Sequence, residues 1–179
     1  IWYVALAAID ADGRPRSTVM LDILNAVCYL ADPTGSYRFP VTPGDFQPVE
    51  GQAEPLRVRE PGRVPGLTLA TYLMKPLYLF SAVERVEGLL RRADFIFPQG
   101  GPCGFAYVAD NKVDAYLALN ESLTEVYTGI DLALQAGAVV TDLQGNPPRF
   151  VPDVEHHYDL LCSRNRELHE RLLTQLQHQ

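Results

Sequence analysis

The first forty residues form apolar, β-branched and aromatic runs that short polar turns interrupt, which is typical of β-strands. Asp12-Gly13 separates the first two runs and is a hairpin signal. The pattern predicts strands at 1–9, 17–24, 27–31 and 37–41 that continue as a meander. Residues 40–65 are rich in Pro, Gly, Gln and Glu, so we expect an exposed loop with a short strand at 56–58.

From residue 67 onward, strand-like and helix-like spacings of apolar residues alternate. Ser81 and Glu84 match a capping box, which predicts a helix that starts there. The predicted strands are 67–73, 95–97, 113–119, 139–143 and 160–162, and the predicted helices are 81–92, 101–111, 125–136 and 164–177. This alternation predicts an α/β fold, a mixed and mostly parallel sheet covered by helices, in a single domain over residues 1–179.

Two glycines interrupt the segment that follows residue 125. Gly137 is a helix stop signal before Ala138 and a β-branched strand. Gly129 falls inside the predicted helix, where a glycine costs about 1 kcal/mol relative to alanine. We therefore expect Gly129 to allow close packing, and the alternative is an approach of the backbone to a ligand.

Composition excludes several classes of function. The net charge is -7, and the 13 Arg and two Lys are scattered, which argues against nucleic-acid and anionic-membrane surfaces. No apolar run reaches the roughly 20 residues of a membrane span. Cys28, Cys103 and Cys162 are odd in number and lack C-x-x-C spacing, so we expect reduced thiols in a cytoplasmic protein.

The order of these segments resembles the second half of the inositol monophosphatase family. The resemblance is carried by "FAYVADNKVDAYLAL" at 105–119 and "GIDLALQAGAVVTDLQGNP" at 129–147, and more weakly by "VALAAIDADGRP" at 4–15 and "YDLLCSRNRELHERLL" at 158–173. It implies the C-terminal part of an αβαβα fold, and a Mg²⁺-dependent phosphomonoesterase that acts on inositol or sugar phosphates. It also implies that Gly137 and Ala138 seat a helix closely on the sheet.

The metal ligands that the resemblance implies are incomplete in this chain. The family uses a helical Glu, two Asp of D-P-[IL]-D-G-[ST] and the Asp of W-D, and here Thr124 and Glu125 stand at W-D. "DPTGS" at 32–36 is interpreted as a turn. Glu125 is therefore the one candidate metal ligand, and its alternative role is to stabilise a helix N-terminus. We expect Mg²⁺ to bind weakly or not at all without the family's N-terminal half.

The implied substrate side is also altered. Gly100 and Gly101 stand where the family has G-S-x-A, and Ala118 replaces a substrate-binding carboxylate. Gly100 and Gly101 are candidate substrate-binding residues through their backbone amides, and the alternative is a strand-to-helix turn. Adjacent His156 and His157 are expected to be exposed rather than a ligand pair.

Three functions remain open. The chain is the C-terminal part of a phosphomonoesterase that is inactive alone, or a catalytically degenerate module that binds a ligand or a partner, or a subunit that pairs with another copy. Residue 1 is not Met and already starts a strand, so we expect a preceding segment in the gene product. Without it, apolar residues around Trp2, Val4 and Leu6 would be uncovered, which predicts an oligomer.

Overall fold

The computed structural model describes residues 3–59, 66–73 and 76–177, and it contains two sheets and five helices within them. The first sheet holds β1 Tyr3–Ile9, β2 Pro15–Asp22, β3 Val27–Asp32, β4 Gly35–Pro40 and β5 Glu54–Pro55. The second holds β6 Thr68–Thr71, β7 Phe95–Phe97, β8 Ala115–Ser122, β9 Val139–Asp142 and β10 His157–Ser163. The helices are α1 Pro76–Leu90, α2 Pro102–Ala109, α3 Leu123–Tyr127, α4 Ile130–Gln135 and α5 Arg166–Gln177.

The first sheet is an antiparallel meander in strand order, as the sequence predicts. Its inner face packs on α4, which contacts β2, β3 and β4. Side chains alternate along β1, so Ala5 and Ala7 face the core while Val4 and Leu6 face outward and are 57% and 72% exposed. Val19, which pairs with Leu6 in the register of β1 and β2, is also exposed. The outer face of this sheet is therefore apolar and uncovered in the described chain.

The second sheet has the order β7-β6-β8-β10-β9. Strand β6 is parallel to both β7 and β8, whereas β10 is antiparallel to β8 and β9. The α/β class with a mixed sheet is confirmed, although two of these four pairings are antiparallel. Leu117 and Leu161 pack with α1 and α5 on one face, and Tyr116 and Cys162 pack with α2 to α4 on the other. The layers run helix, sheet, helix, sheet.

Several predicted boundaries are wrong. Helix α1 starts at Pro76, so Ser81 lies within it and does not cap it. Proline is well suited to the first turn of a helix because its missing N–H needs no partner there. The predicted strand at 56–58 is replaced by β5, which pairs with β4. Trp2 and part of the loop at 40–65 lie outside the described residues.

The predicted helix at 125–136 is two helices that meet at Gly129. A Cβ built on Gly129 would lie 2.5 Å from Cα of Pro102 and 2.8 Å from Cδ2 of Phe105. Packing is thus confirmed as the reason for this glycine, although it stands at a helix break rather than in a helix interior.

Gly137 ends α4, as predicted, with φ of 91°. The amide of Ala138 donates to the carbonyl of Ala133, which closes the helix end. A Cβ on Gly137 would meet only Cγ2 of Val58, at 3.5 Å. The implied close seating on the sheet is therefore wrong for Gly137, which is required for its backbone angle, whereas Ala138 is buried in the core.

All three cysteines are free and buried, in agreement with thiols rather than disulfides. Within the described ranges, none of the helices combines the length and the apolar character that crossing a bilayer requires.

Candidate functional site

A group of carboxylates and tyrosines lies where β6, β7 and β8 end. Glu121 lies near the end of β8, Gly100 follows β7 and Tyr72 follows β6. A Cβ built on Gly100 would lie 2.6 Å from Cβ of Tyr72 and 3.0 Å from Oε1 of Glu121, so the three segments touch. Ligands of open α/β sheets bind outside the carboxyl ends of parallel strands, which is this edge.

Glu121 is the most buried acid of the group. It is 7% exposed, and its Oε1 accepts hydrogen bonds from the Tyr116 hydroxyl at 2.5 Å and the Gly101 amide at 3.1 Å. Burial raises the pKa of Glu121 well above its usual range, and a hydrogen bond with Glu125 and the charge of Glu125 raise it further. The pair thus favours a state in which Glu121 holds a proton.

An irregularity between β8 and β10 turns Glu121 inward. The register between the two strands shifts between Tyr158 and Leu160, and Asn120 takes a φ of 54°. The Asp159 carboxylate accepts the Asn120 amide at 2.8 Å and pairs with Arg85 of α1 at 2.6 Å. Such a bulge re-aims the side chain that follows it, and here that side chain is Glu121.

Gly100 and Gly101 are both buried at the start of α2. Gly101 has φ of 60° and ψ of -150°, a conformation that is open mainly to glycine. A Cβ on Gly101 would lie 3.1 Å from Oη of Tyr3 and 3.5 Å from Oε1 of Glu125. The structure therefore places both candidate glycines at this site, and the Gly101 amide is already engaged by Glu121.

Glu125 lies in the first turn of α3. Its Oε2 accepts the amide of Ser122 at 3.3 Å and the hydroxyl of Ser122 at 3.2 Å, which is the reciprocal half of a capping box. Its carboxylate also approaches Tyr3 of β1. Burial raises the pKa of Tyr3 to about 12, and the charge of Glu125 contributes to that rise. Glu125 therefore has the helix-capping role in the structure, and its carboxylate lies beside that of Glu121.

The residues present do not by themselves form a magnesium site. Mg²⁺ requires near-octahedral oxygen coordination. In the described part of the chain, no group of three or more His, Cys, Asp or Glu side chains is arranged to hold a metal ion. Glu121 and Glu125 supply two carboxyl groups, of which one is held by Tyr116 and Gly101 and the other by Ser122.

The remaining candidates lie elsewhere. Asp32 ends β3, and its carboxylate accepts the Thr34 amide at 2.7 Å, so "DPTGS" is a turn as predicted. His157 is exposed, as predicted, whereas His156 is partly buried against the ring of Tyr158. Sequence reasoning missed Glu121, Tyr3 and Tyr116. The signal that the sequence offers for Glu121 is its spacing, since it is an acidic residue four positions before Glu125.

The chain matches solved structures of inositol monophosphatase-like proteins. The extragenic suppressor protein suhB from Bartonella henselae has a TM-score of 0.76 at 17% identity, over 99% of this chain and 62% of its own. A hypothetical protein from Pyrococcus horikoshii with similarities for inositol-1 monophosphatase has a TM-score of 0.74 at 20% identity, over 97% and 61%. An inositol monophosphatase from Anabaena has a TM-score of 0.71 at 17% identity, over 93% and 62%.

This chain has the inositol monophosphatase fold. The match confirms the resemblance inferred from the sequence at the level of the fold, and identities of 20% or less carry it no further. The chain spans roughly three-fifths of the length of these structures. No protein-family model and no curated protein matches it by sequence.

Proposed function

We propose that this chain is part of a metal-dependent phosphomonoesterase that acts on inositol or sugar phosphates, and that the isolated chain is inactive. The observation that carries the proposal is the position of Glu121 and Glu125. They lie at the carboxyl edge of the sheet, in a fold shared with inositol monophosphatases. Two carboxyl groups are too few for a two-metal phosphatase. Glu125 would supply one ligand of a metal site that a further polypeptide segment completes.

The uncovered outer face of the first sheet supports the idea of a completing segment. About two-fifths of the length of each solved structure lies outside the part that matches this chain. The exposed apolar strand β1 also carries Tyr3, which lies at the carboxylates. A segment that packed on β1 would therefore cover Val4 and Leu6 and reach the site. Gly100 and Gly101, which are buried beside Glu121, would adjoin the substrate at the same edge.

The test is phosphate release from inositol 1-phosphate and glucose 6-phosphate at millimolar Mg²⁺. Two samples are compared. One is the isolated chain, and the other is the chain mixed with the segment of a matching solved protein that lies outside the match. We expect negligible turnover alone and measurable turnover after complementation. Glu125→Gln should then lower turnover by at least about tenfold, while the loss of its charge lowers stability by only about 0.3–1 kcal/mol.

The second candidate is a catalytically degenerate module that binds a ligand or partner. The internal hydrogen bonds of Glu121 and Glu125 favour it, because both carboxylates are occupied without a metal. It predicts no phosphate release by the isolated chain or by the complemented chain. Glu125→Gln should then release as little phosphate as the parent chain. Robust turnover by the isolated chain that Glu125→Gln abolishes would refute the claim that the chain is incomplete.

A further inference from the structure

Strand β7 is an open edge of the second sheet. The strand order is β7-β6-β8-β10-β9, and among the described residues β7 pairs only with β6. The Phe95 amide donates to the Leu67 carbonyl at 3.3 Å, so the backbone groups of Phe95 and Phe97 point to β6. Alternate residues of a strand direct these groups to opposite sides, so the N–H and C=O of Ile96 point away from the sheet. A free edge of this kind is a template for another strand.

The side chains of β7 make this edge apolar on both faces of the sheet. Leu69, the register partner of Ile96, packs with α1 and α5, so Ile96 lies on that face. Ala70, the register partner of Phe97, packs with α2 to α4, so Phe95 and Phe97 lie on the other face. All three side chains of β7 are between 47% and 66% exposed. Natural sheets often blunt an open edge with charged residues, and β7 contains none.

Helix α1 extends the apolar surface beside this edge. Arg85 of α1 pairs with Asp159 of β10, so that side of the helix faces the middle of the sheet. Phe80 is five residues before Arg85 and projects about 140° away from it around the helix. It therefore lies on the side of α1 that faces β7 and the solvent, and it is 74% exposed.

We propose that β7 pairs with β7 of a second copy of this chain, antiparallel and centred on Ile96. The two Ile96 residues exchange both N–H···O bonds, which satisfies the open backbone groups of both copies. Phe95 then lies opposite the partner's Phe97 on one face, and such aromatic cross-strand pairs stabilise antiparallel strands. The twofold axis is perpendicular to the sheet, so both α1 helices lie on the same face, where Phe80 of each copy covers the Ile96 pair.

The size of the apolar surface fits a second copy of the chain. The exposed parts of Phe80, Phe95, Ile96 and Phe97 amount to about 500 Å² in each copy. Homodimer interfaces are roughly two-thirds apolar, so this corresponds to about 800 Å² per partner, the size of a standard stable interface. The same patch serves both subunits, and the assembly closes as a dimer. The pairing does not depend on the function proposed above.

The first test is the mass by light scattering in a Leu6→Ser background, which removes association through the outer face of the first sheet. We expect two chains, twice 19.9 kDa, in this background. Adding Ile96→Lys places two like charges opposite each other and should give 19.9 kDa, with an unchanged circular dichroism spectrum. Val154→Lys is the matched control, since Val154 is 71% exposed and lies before β10, and it should leave the dimer intact.

The second test reads the register directly. The Cα atoms of the two Ile96 residues in this pair would lie about 5.5 Å apart, which a disulfide can span. The native cysteines are buried, so Ile96→Cys in the Leu6→Ser background should form a covalent dimer on mild oxidation, and Val154→Cys should not. The proposal is overturned by a monomeric mass of Leu6→Ser, by a dimer that survives Ile96→Lys, or by equal cross-linking of the two cysteine variants.

Discussion

Replacement of Gly129 by alanine tests whether close packing explains the helix break. The Gly129 backbone has φ of -127° and ψ of -36°, which alanine can adopt, so the change adds a methyl group without a left-handed backbone. That methyl carbon would lie 2.5 Å from Cα of Pro102. A side chain can rotate away from such a contact, but a backbone atom cannot. Helix α2 and the α3–α4 break must therefore move apart.

The expected loss of stability follows from overpacking. Extra methyl groups in a well-packed core destabilise by about 1–3 kcal/mol, and contact with backbone places Gly129→Ala at about 2–3 kcal/mol. With a urea dependence of about 2 kcal/mol per molar, the unfolding midpoint should fall by roughly 1–1.5 M. Equilibrium urea unfolding followed by circular dichroism measures this shift.

Leu134→Ala provides the control within the same segment. Leu134 lies on α4 and is 40% exposed, so its truncation should lower stability by less than about 1 kcal/mol. A Gly129→Ala midpoint within about 0.25 M of the parent would refute the packing explanation. That result would favour the alternative explanation, in which Gly129 allows the backbone to approach a ligand.

Two further predictions concern pH and association. Burial lowers the pKa of His169 to about 4 from an ordinary value of 6.5, and the Arg166 charge contributes, so between these values the unfolded chain binds a proton that the native chain does not. Stability should fall by up to about 3 kcal/mol as pH falls through this window. The urea midpoint of His169→Gln should decline less steeply with falling pH than that of the parent chain. Equal declines in the two proteins would contradict this explanation. The exposed Val4, Leu6 and Val19 predict a dimer or larger assembly by light scattering, with a lower mass for Leu6→Ser, whereas a parent mass of 19.9 kDa would contradict it.

The sequence predicts most of the elements because each has a strong local signal. The first hairpin of the antiparallel meander follows from the turn at Asp12-Gly13. Gly137 ends α4 because its φ of 91° lets the amide of Ala138 donate to the carbonyl of Ala133. The start of α1 was missed, because Ser81 and Glu84 match a capping box while Pro76 begins the helix five residues earlier. Proline in the first turn is itself a local start signal, so the sequence offers two allowed starts for this helix, and the structure uses the earlier one.

The candidate site was predictable only in part, for a different reason. Glu125 and the two glycines were found through motif positions, and the structure brings all three together. Glu121 was missed because its inward direction depends on the positive φ of Asn120 and on Asp159, which is far along the chain.

A regular strand alternates its side chains between two faces, and the register shift between β8 and β10 breaks that alternation just before Glu121. The carboxylate is thereby aimed at the Gly101 amide and held by Tyr116 from the same strand. Two carboxyl groups that converge in this way disfavour each other's charge unless a proton or a cation lies between them. The chain alone supplies the proton, as the raised pKa of Glu121 indicates. Replacement of that proton by a metal ion requires further oxygen ligands, and the function proposed above assigns these to a segment outside this chain.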